Sequence, residues 1–176
     1  MSEDLLIYTI GHSDHTTAAF VDLLREQGVT VVVDVRSQPY SRWSHQFNRE
    51  VLARDLERAD IVYRFMGDTL GGRPSDPAVY GSVLDPEVKG SGPGEGRPDY
   101  GRVEQMDVYQ AGIAELLELA RGERIAVMCS EGDHRHCHRH LLITQTLLTR
   151  GVRVRHIQPD GRTVEGERIA QQLSFL

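Results

Sequence analysis

The chain has 176 residues, of which 39% are hydrophobic and 26% charged, with a formal net charge of -6, two cysteines and eight histidines. That length fits one domain spanning residues 1–176 that buries a core without disulfides or a structural metal. The acidic balance excludes an extended nucleic-acid surface, which would be basic. Two cysteines exclude a disulfide framework and point to a reducing cytoplasm. No apolar stretch reaches the length of a membrane span, and no basic segment leads into a signal-peptide core, so no membrane partner is expected.

In chain order, Leu5 to Ile10 reads as a first strand, broken by Gly11-His12-Ser13-Asp14-His15. Ser13 or Asp14 is expected to cap the next helix, whose Ala19, Phe20, Leu23 and Leu24 share one face before Gly28. Val29 to Val33 is a nearly continuous β-branched run, the mark of a strand covered on both faces. It leads into Asp34-Val35-Arg36-Ser37-Gln38-Pro39, then a loop from Tyr40 to Asn48 that holds Trp43. Arg49 to Arg58 has helical composition with Val51, Leu52, Leu56 and Ala59 inward, and Ile61 to Met66 is a third strand. Between Pro74 and Gly101 lies a Gly- and Pro-rich loop in which Asp76 to Ser82 is expected to add a short helix.

Helical periodicity returns from Val103 to Ala120. Ile125 to Met128 reads as a buried strand, and a helix is expected from about Cys137, with Arg150 and Gly151 as its end. Val152 to Ile157 is a fifth strand, Pro159-Asp160-Gly161 a turn, and Thr163 to Phe175 a short closing helix. The alternation predicts an α/β fold with a mainly parallel five-stranded sheet and helices on both faces. Four polar clusters then follow strands: Gly11-His12-Ser13, Asp34-Val35-Arg36, Leu70-Gly71-Gly72 and Cys129-Ser130-Glu131. Carboxyl ends of parallel strands are where ligands bind in such sheets.

Three chemistries compete for these clusters. A thiol at a strand end, beside loop amides and a helix start, has its pKa lowered, which makes Cys129 a candidate nucleophile or redox thiol. Cys129 and Arg135 also match Cys-x5-Arg, although His136 stands where tyrosine phosphatases usually carry Ser or Thr. Burial as an inert cysteine is the rival reading. A Zn or Fe site is the second chemistry, with Cys129, His134, Cys137 and His138 as donors within ten positions and His12 available from the first strand. The separation of Cys129 from Cys137 does not suit a zinc knuckle. The third is an anion pocket using Arg36, Arg42, Arg49, Arg73 and Arg139, set against the same arginines pairing with Asp34, Glu50, Asp68 or Glu131. His12 is the proton-transfer candidate, and Asp34, following a run of valines, is expected to be buried and paired.

The arrangement of Asp34-Val35-Arg36 on an early strand and Cys129 with its loop on a later one looks like a rhodanese domain. A fuller set of stretches resembles the domain of unknown function 488 family. They are Thr9-Ile10-Gly11-His12-Ser13, Asp34-Val35-Arg36-Ser37 with Pro39, Ser41-Arg42, Phe47-Asn48-Arg49, Leu70-Gly71-Gly72, and Cys129-Ser130-Glu131 with Cys137-His138-Arg139. The chain departs from the usual pattern at Asp133-His134-Arg135, where many members carry a proline after the acidic residue, and the family pattern picks out Arg139 rather than Arg135. The resemblance implies a compact α/β domain with one polar pocket, and no established reaction.

The expectation is a pocket for a small anionic, phosphorylated ligand. Cys129, His12, Asp34 and Glu131 are its catalytic candidates, and its ligand-binding candidates are Gly11, Ser13, Arg36, Arg42, Asn48, Arg49, Gly71, Gly72, Ser130, His138 and Arg139. The alternatives are a nonenzymatic module for a nucleotide or a nucleic-acid end, and a Zn- or Fe-dependent enzyme. The sequence sets neither a cofactor nor an oligomeric state.

Overall fold

The computed structural model describes residues 4–80 and 97–170. Its strands are β1 (Leu6–Gly11), β2 (Val31–Asp34), β3 (Val62–Phe65), β4 (Ile125–Cys129), β5 (Arg153–Ile157) and β6 (Thr163–Glu165). They form one sheet in the order β3-β2-β4-β1-β5-β6. β1 pairs parallel with β4 and β5, and β2 parallel with β3 and β4, whereas β6 runs antiparallel to β5. The α/β class holds, but the sheet is six-stranded and mixed, not the five-stranded, mainly parallel sheet expected.

The difference arises at the last turn. Gly161 takes a φ of 87°, a left-handed conformation that glycine adopts without strain. Gln158 N–H donates to the Arg162 carbonyl at 2.8 Å, so the chain folds back as a hairpin. Glu165 then meets Arg153 and Arg155 across the pair. Residues 163–165 are therefore a strand rather than the start of a helix, and 171–175 of the expected helix lie outside the described residues.

The helices are α1 (Thr17–Glu26), α2 (Arg49–Arg58), α3 (Gly67–Leu70), α4 (Tyr100–Glu104), α5 (Asp107–Gly122) and α6 (Gln145–Thr149). Thr16, not Ser13 or Asp14, caps α1, its Oγ1 accepting from Ala19 N at 3.1 Å. Ser13 is withheld from that role because its N–H bonds the Ser130 carbonyl at 3.0 Å, extending the β1–β4 contact. The helix expected from Val103 to Ala120 is split, since Met106 is extended between α4 and α5, and α4 has its own cap in Asp99. Only a 3₁₀ turn, Pro77–Val79, stands where a helix over Asp76 to Ser82 was expected, and 81–96 lie outside the described residues. The helix expected from Cys137 begins as a π-helical turn, Arg139–Thr144. The Thr144 hydroxyl donates to the Arg139 carbonyl five residues back at 2.6 Å and helps hold that wider turn.

Alternate strand residues face opposite layers. Val31, Val33, Ile125 and Val127 pack with Tyr109, Ile113 and Leu116 of α5 and with Leu142 and Leu147. Val32, Ala126 and Met128 pack with Phe20 and Leu24 of α1 and Leu52 and Leu56 of α2. The chain leaving β2 thus crosses to one layer through α2, and the chain leaving the adjacent β4 crosses to the other. Such divergence opens a crevice at the carboxyl edge between two neighbouring strands. No helix among the described residues is long and apolar enough to cross a membrane.

At Gly11 the loop after β4 closes onto β1 so tightly that a Cβ would sit 1.8 Å from the Glu131 carbonyl oxygen. Gly11→Ala is expected to displace that loop and cost about 3 kcal/mol of stability by urea unfolding. A variant as stable as the parent would mean that the loop yields without cost.

Candidate functional site

The crevice between β2 and β4 holds a cavity of about 300 Å³. Arg36, Ser37 and Gln38 line it from the β2 side, Gly72 and Arg73 from the turn after α3, and Tyr100 from the start of α4. Cys129, Ser130 and Glu131 enter from the end of β4, and His136, Cys137 and His138 from the end of the same loop. Gly72 admits the His138 side chain, whose atoms would lie 2.7 to 3.0 Å from a Cβ there.

Two thiols form the floor. Both cysteines are free, and Cys129 Sγ stands 2.7 Å from Cys137 Sγ. Arg139 Nε donates to Cys129 Sγ at 3.1 Å, Nη1 to Thr9 Oγ1 at 2.7 Å, and Nη2 to the carbonyls of Glu131 and Gly132 at 2.8 and 3.2 Å. The Arg139 side chain is fully buried, and no ion pair among the described residues joins it to a carboxylate. An uncompensated buried charge costs several kcal/mol, and the Cys129 thiolate is the anion in reach. Burial by itself pushes the Cys129 thiol up, but the Cys137 hydrogen bond and the Arg139 charge outweigh it, so its pKa falls. The Cys137 thiol is raised instead, because it donates to Cys129 and is itself buried. Of the two thiols, Cys129 is the one whose ionisation the surroundings favour.

His138 faces Cys137 from the other side. Its Nε2–H donates to the Val35 carbonyl at 3.1 Å, which leaves Nδ1 as an acceptor 3.7 Å from Cys137 Sγ. Burial lowers its pKa to about 4, so the ring is neutral at physiological pH.

Asp34 and Arg36 form a second buried charged group. The Asp34 carboxylate accepts from Arg36 Nε, Nη2 and backbone N–H at 2.9, 2.7 and 3.1 Å, and from Tyr63 OH at 2.6 Å. Arg36 Nη2 also donates to the Phe47 carbonyl at 2.8 Å. With its oxygens so engaged, Asp34 orients Arg36 at the cavity wall. His12 lies behind that wall rather than in it. Its Nδ1–H donates to the Ser13 carbonyl at 2.9 Å, its Nε2 is 3.4 Å from Arg36 Nη1, and its ring stacks on Phe47 at 4.3 Å. Burial, with the Arg36 charge, lowers its pKa to about 4.

The remaining sequence candidates divide. Ser130, Glu131, Gly72 and His138 join Cys129 and Arg36 at the cavity. Gly11, Ser13 and Gly71 shape the backbone around it, and a Cβ at Gly71 would meet Gly67 O and Ser37 Oγ at 2.3 and 2.4 Å. Arg42 is exposed away from the cavity lining. Asn48 Oδ1 accepts from Ser41 N–H at 2.8 Å, and the Arg49 guanidinium lies 4.2 Å over the Phe65 ring. Arg135 pairs with Asp133 on the outer side of the loop, so Arg139 is the arginine that addresses Cys129. His134 also turns away, leaving the four donors Cys129, His134, Cys137 and His138 divided between two sites. Arg73, named with the anion-pocket arginines, does line the cavity. Sequence reasoning missed Tyr63 and Tyr100 and gave Thr9 no role, because these reach the site through sheet pairing or loop folding.

Fold and site together describe an α/β protein with a buried, arginine-paired thiol at a strand-edge crevice. The sequence pattern of the family described as Domain of unknown function DUF488 matches residues 16–145, and the chain belongs to that family. No curated protein and no solved structure matches it.

The His12 geometry gives a stability signature. Its pKa is about 4 when folded, against about 6.5 unfolded, so the unfolded chain binds its proton first as pH falls. The contribution is complete above about pH 6.5 and is lost as pH falls towards 4. Urea midpoints between pH 7 and pH 4 should decline less steeply in His12→Gln than in the parent. Parallel curves would show that His12 is protonated in the folded protein as well.

Proposed function

We propose that this protein is a thiol-dependent hydrolase or transferase acting on a small anionic, phosphorylated ligand bound in the β2–β4 crevice. The observation that carries this reading is the buried Arg139 guanidinium, paired with no carboxylate among the described residues and directed at Cys129 Sγ. Its Nη groups tie Thr9 and the loop carbonyls, but its Nε is left to the thiol, which places a full positive charge beside Cys129 in a buried setting where it favours the thiolate. Arg36 and Arg73 lie at the cavity wall, where planar guanidinium groups suit phosphate or carboxylate oxygens. Ser130 adds a hydroxyl, and Glu131 an orienting carboxylate.

In the proposed reaction the Cys129 thiolate attacks the electrophilic centre of the ligand. One bond forms from Sγ to that centre, and the bond from the centre to its leaving group breaks. Cys137 then supplies the proton. Its thiol is held protonated by the neighbouring negative charge, and that charge disappears when Cys129 becomes covalently bound. With Arg139 still beside it, Cys137 can release its proton to the leaving group. Water or a second acceptor attacks the Cys129 adduct, returns one proton to Cys137, and expels Cys129 as the thiolate. His138 Nδ1 accepts towards Cys137 and fixes its orientation, while His12 supports Arg36 and takes no proton near neutral pH.

Iodoacetamide alkylation across pH, followed residue by residue, tests this proposal. Cys129 is expected to react with an apparent pKa below the roughly 8.5 of a free cysteine, and Cys137 to stay protected. Arg139→Gln should raise that apparent pKa by about one unit or more, and Arg139→Lys by less, with circular dichroism reporting on the fold. Inorganic phosphate should slow the reaction by occupying the crevice. Slow alkylation with an ordinary pKa, unaffected at Arg139, would sink the thiol mechanism. If phosphate still bound, the chain would be a nonenzymatic module for a nucleotide or nucleic-acid end.

A further inference from the structure

On the opposite side of the loop from the thiols, three histidines meet. His134 comes from the 3₁₀ turn His134–His136, His140 from the π-helical turn, and His156 from β5. One ring nitrogen from each lies within 4.8 Å of the others. His156 is completely buried and His134 nearly so. His140 Nδ1 and His156 Nε2 are 3.2 Å apart. Two nitrogens bound tetrahedrally to zinc at 2.0–2.1 Å stand roughly 3.3 Å apart, so this spacing is already close to that of a shared metal.

We propose that His134, His140 and His156 form a binding site for a late first-row divalent cation, Zn²⁺ foremost, with one coordination position open to solvent. Three imidazoles suit this class of metal, and three protein ligands with an exchangeable fourth position are the pattern of reactive rather than structural zinc. A cleft of about 620 Å³ opens over His134 and His140 and supplies that position. Glu167 lines the same cleft and favours a cation at its mouth, whereas Asp133 and Glu165 there are paired with Arg135 and with Arg153 and Arg155. The Arg139 charge works against one, but its donors are directed at Cys129, Thr9 and the loop carbonyls rather than at the cluster. Burial is the main cause holding all three imidazoles unprotonated, which is the form a metal takes.

The outer partners also fit. Thr9 Oγ1 lies 2.6 Å from His156 Nδ1 and fixes the ring with Nε2 towards the cluster. In the loaded state Nδ1–H donates to Thr9 Oγ1, whose second lone pair continues to accept from Arg139 Nη1. Gln158 Nε2 approaches His134 Nδ1 at 3.2 Å and leaves the other ring nitrogen available. A metal replaces the His140–His156 hydrogen bond, so both rings turn towards the common centre, and His134 moves as well. Its ring stacks on His156 at 3.9 Å and 15°, and must tilt about its Cβ–Cγ bond to point at the common centre.

This site is independent of the thiol mechanism, and its test separates the two. Full-length protein, freed of metal with chelator and then dialysed, is titrated with Zn²⁺ by calorimetry and with Co²⁺ by absorption. The expected result is one equivalent bound with a Kd of about 1 µM or tighter. Bound Co²⁺ should show tetrahedral ligand-field bands without the sulfur-to-metal charge-transfer band. The less deeply placed variants His134→Gln and His140→Gln should each weaken binding about 10- to 100-fold while circular dichroism stays unchanged. Cys129→Ser and Cys137→Ser should bind Zn²⁺ as the parent does. Absence of binding overturns the proposal, and so does binding that survives both histidine variants. A sulfur charge-transfer band lost with the cysteine variants would also overturn it, placing the metal on the thiol pair.

Discussion

The buried guanidinium of Arg139 constrains everything around it. It donates to the β4 thiol, to the β1 hydroxyl of Thr9, and to two carbonyls of the loop that joins β4 to the last helix. Those bonds replace the water that a cation loses on burial, a loss of several kcal/mol where it is not made good. The local backbone is built to permit them. The π-helical turn carries Arg139 into the interior, and Gly11 lacks the Cβ that would hold the loop carbonyls away from the guanidinium. Moving Arg139 would therefore disturb the thiol, the loop and the edge of β1 together.

Arg36 and Arg139 differ in how their charges are met. Arg36 and Arg139 are both buried and both sit within the strand-edge region. Arg36 has a two-point contact with the Asp34 carboxylate, and Tyr63 completes that carboxylate's hydrogen bonds. Its charge is balanced within the fold, and what it offers a ligand is geometry at the cavity wall. Arg139 has carbonyl and hydroxyl oxygens as neutral partners, and no carboxylate among the described residues pairs with it. One arginine thus organises the wall of the pocket, while the other is directed at the Cys129 thiol.

Much of this arrangement was legible in the sequence, for identifiable reasons. The strand cores are apolar runs ending in polar clusters, and the helix Arg49–Arg58 showed its inward face through Leu52 and Leu56. The clusters after β2 and β4 fell beside one another because those strands are neighbours. The failures are local or long-range. Thr163–Glu165 is too short for strand periodicity to register, and its pairing depends on a hairpin turn. Thr16 outcompeted Ser13 as a cap because Ser13 was engaged in a β1–β4 contact that no local pattern reveals. His12 has the composition of a proton-transfer group, but its ring packs on Phe47 and both nitrogens are occupied. His134 and His156 lie 22 positions apart in the sequence, and only the sheet order brings β5 beside the β4 loop.

Thr9 is where the two candidate chemistries touch. Its hydroxyl accepts from Arg139 and lies against His156 Nδ1, so it has two settings. When His156 Nδ1 is bare, the hydroxyl proton points to it and the His156 proton sits on Nε2, facing His140. When Nδ1 carries the proton, the hydroxyl accepts from both sides and Nε2 becomes a free donor atom for a metal. In the second setting the Thr9 oxygen accepts from Arg139 Nη1 and His156 Nδ1 together, while Arg139 keeps its bonds to Cys129 and to the loop carbonyls. The place of one proton on His156 thus decides whether Nε2 is offered to a metal, and the Thr9 hydroxyl can serve either setting because its oxygen both donates and accepts.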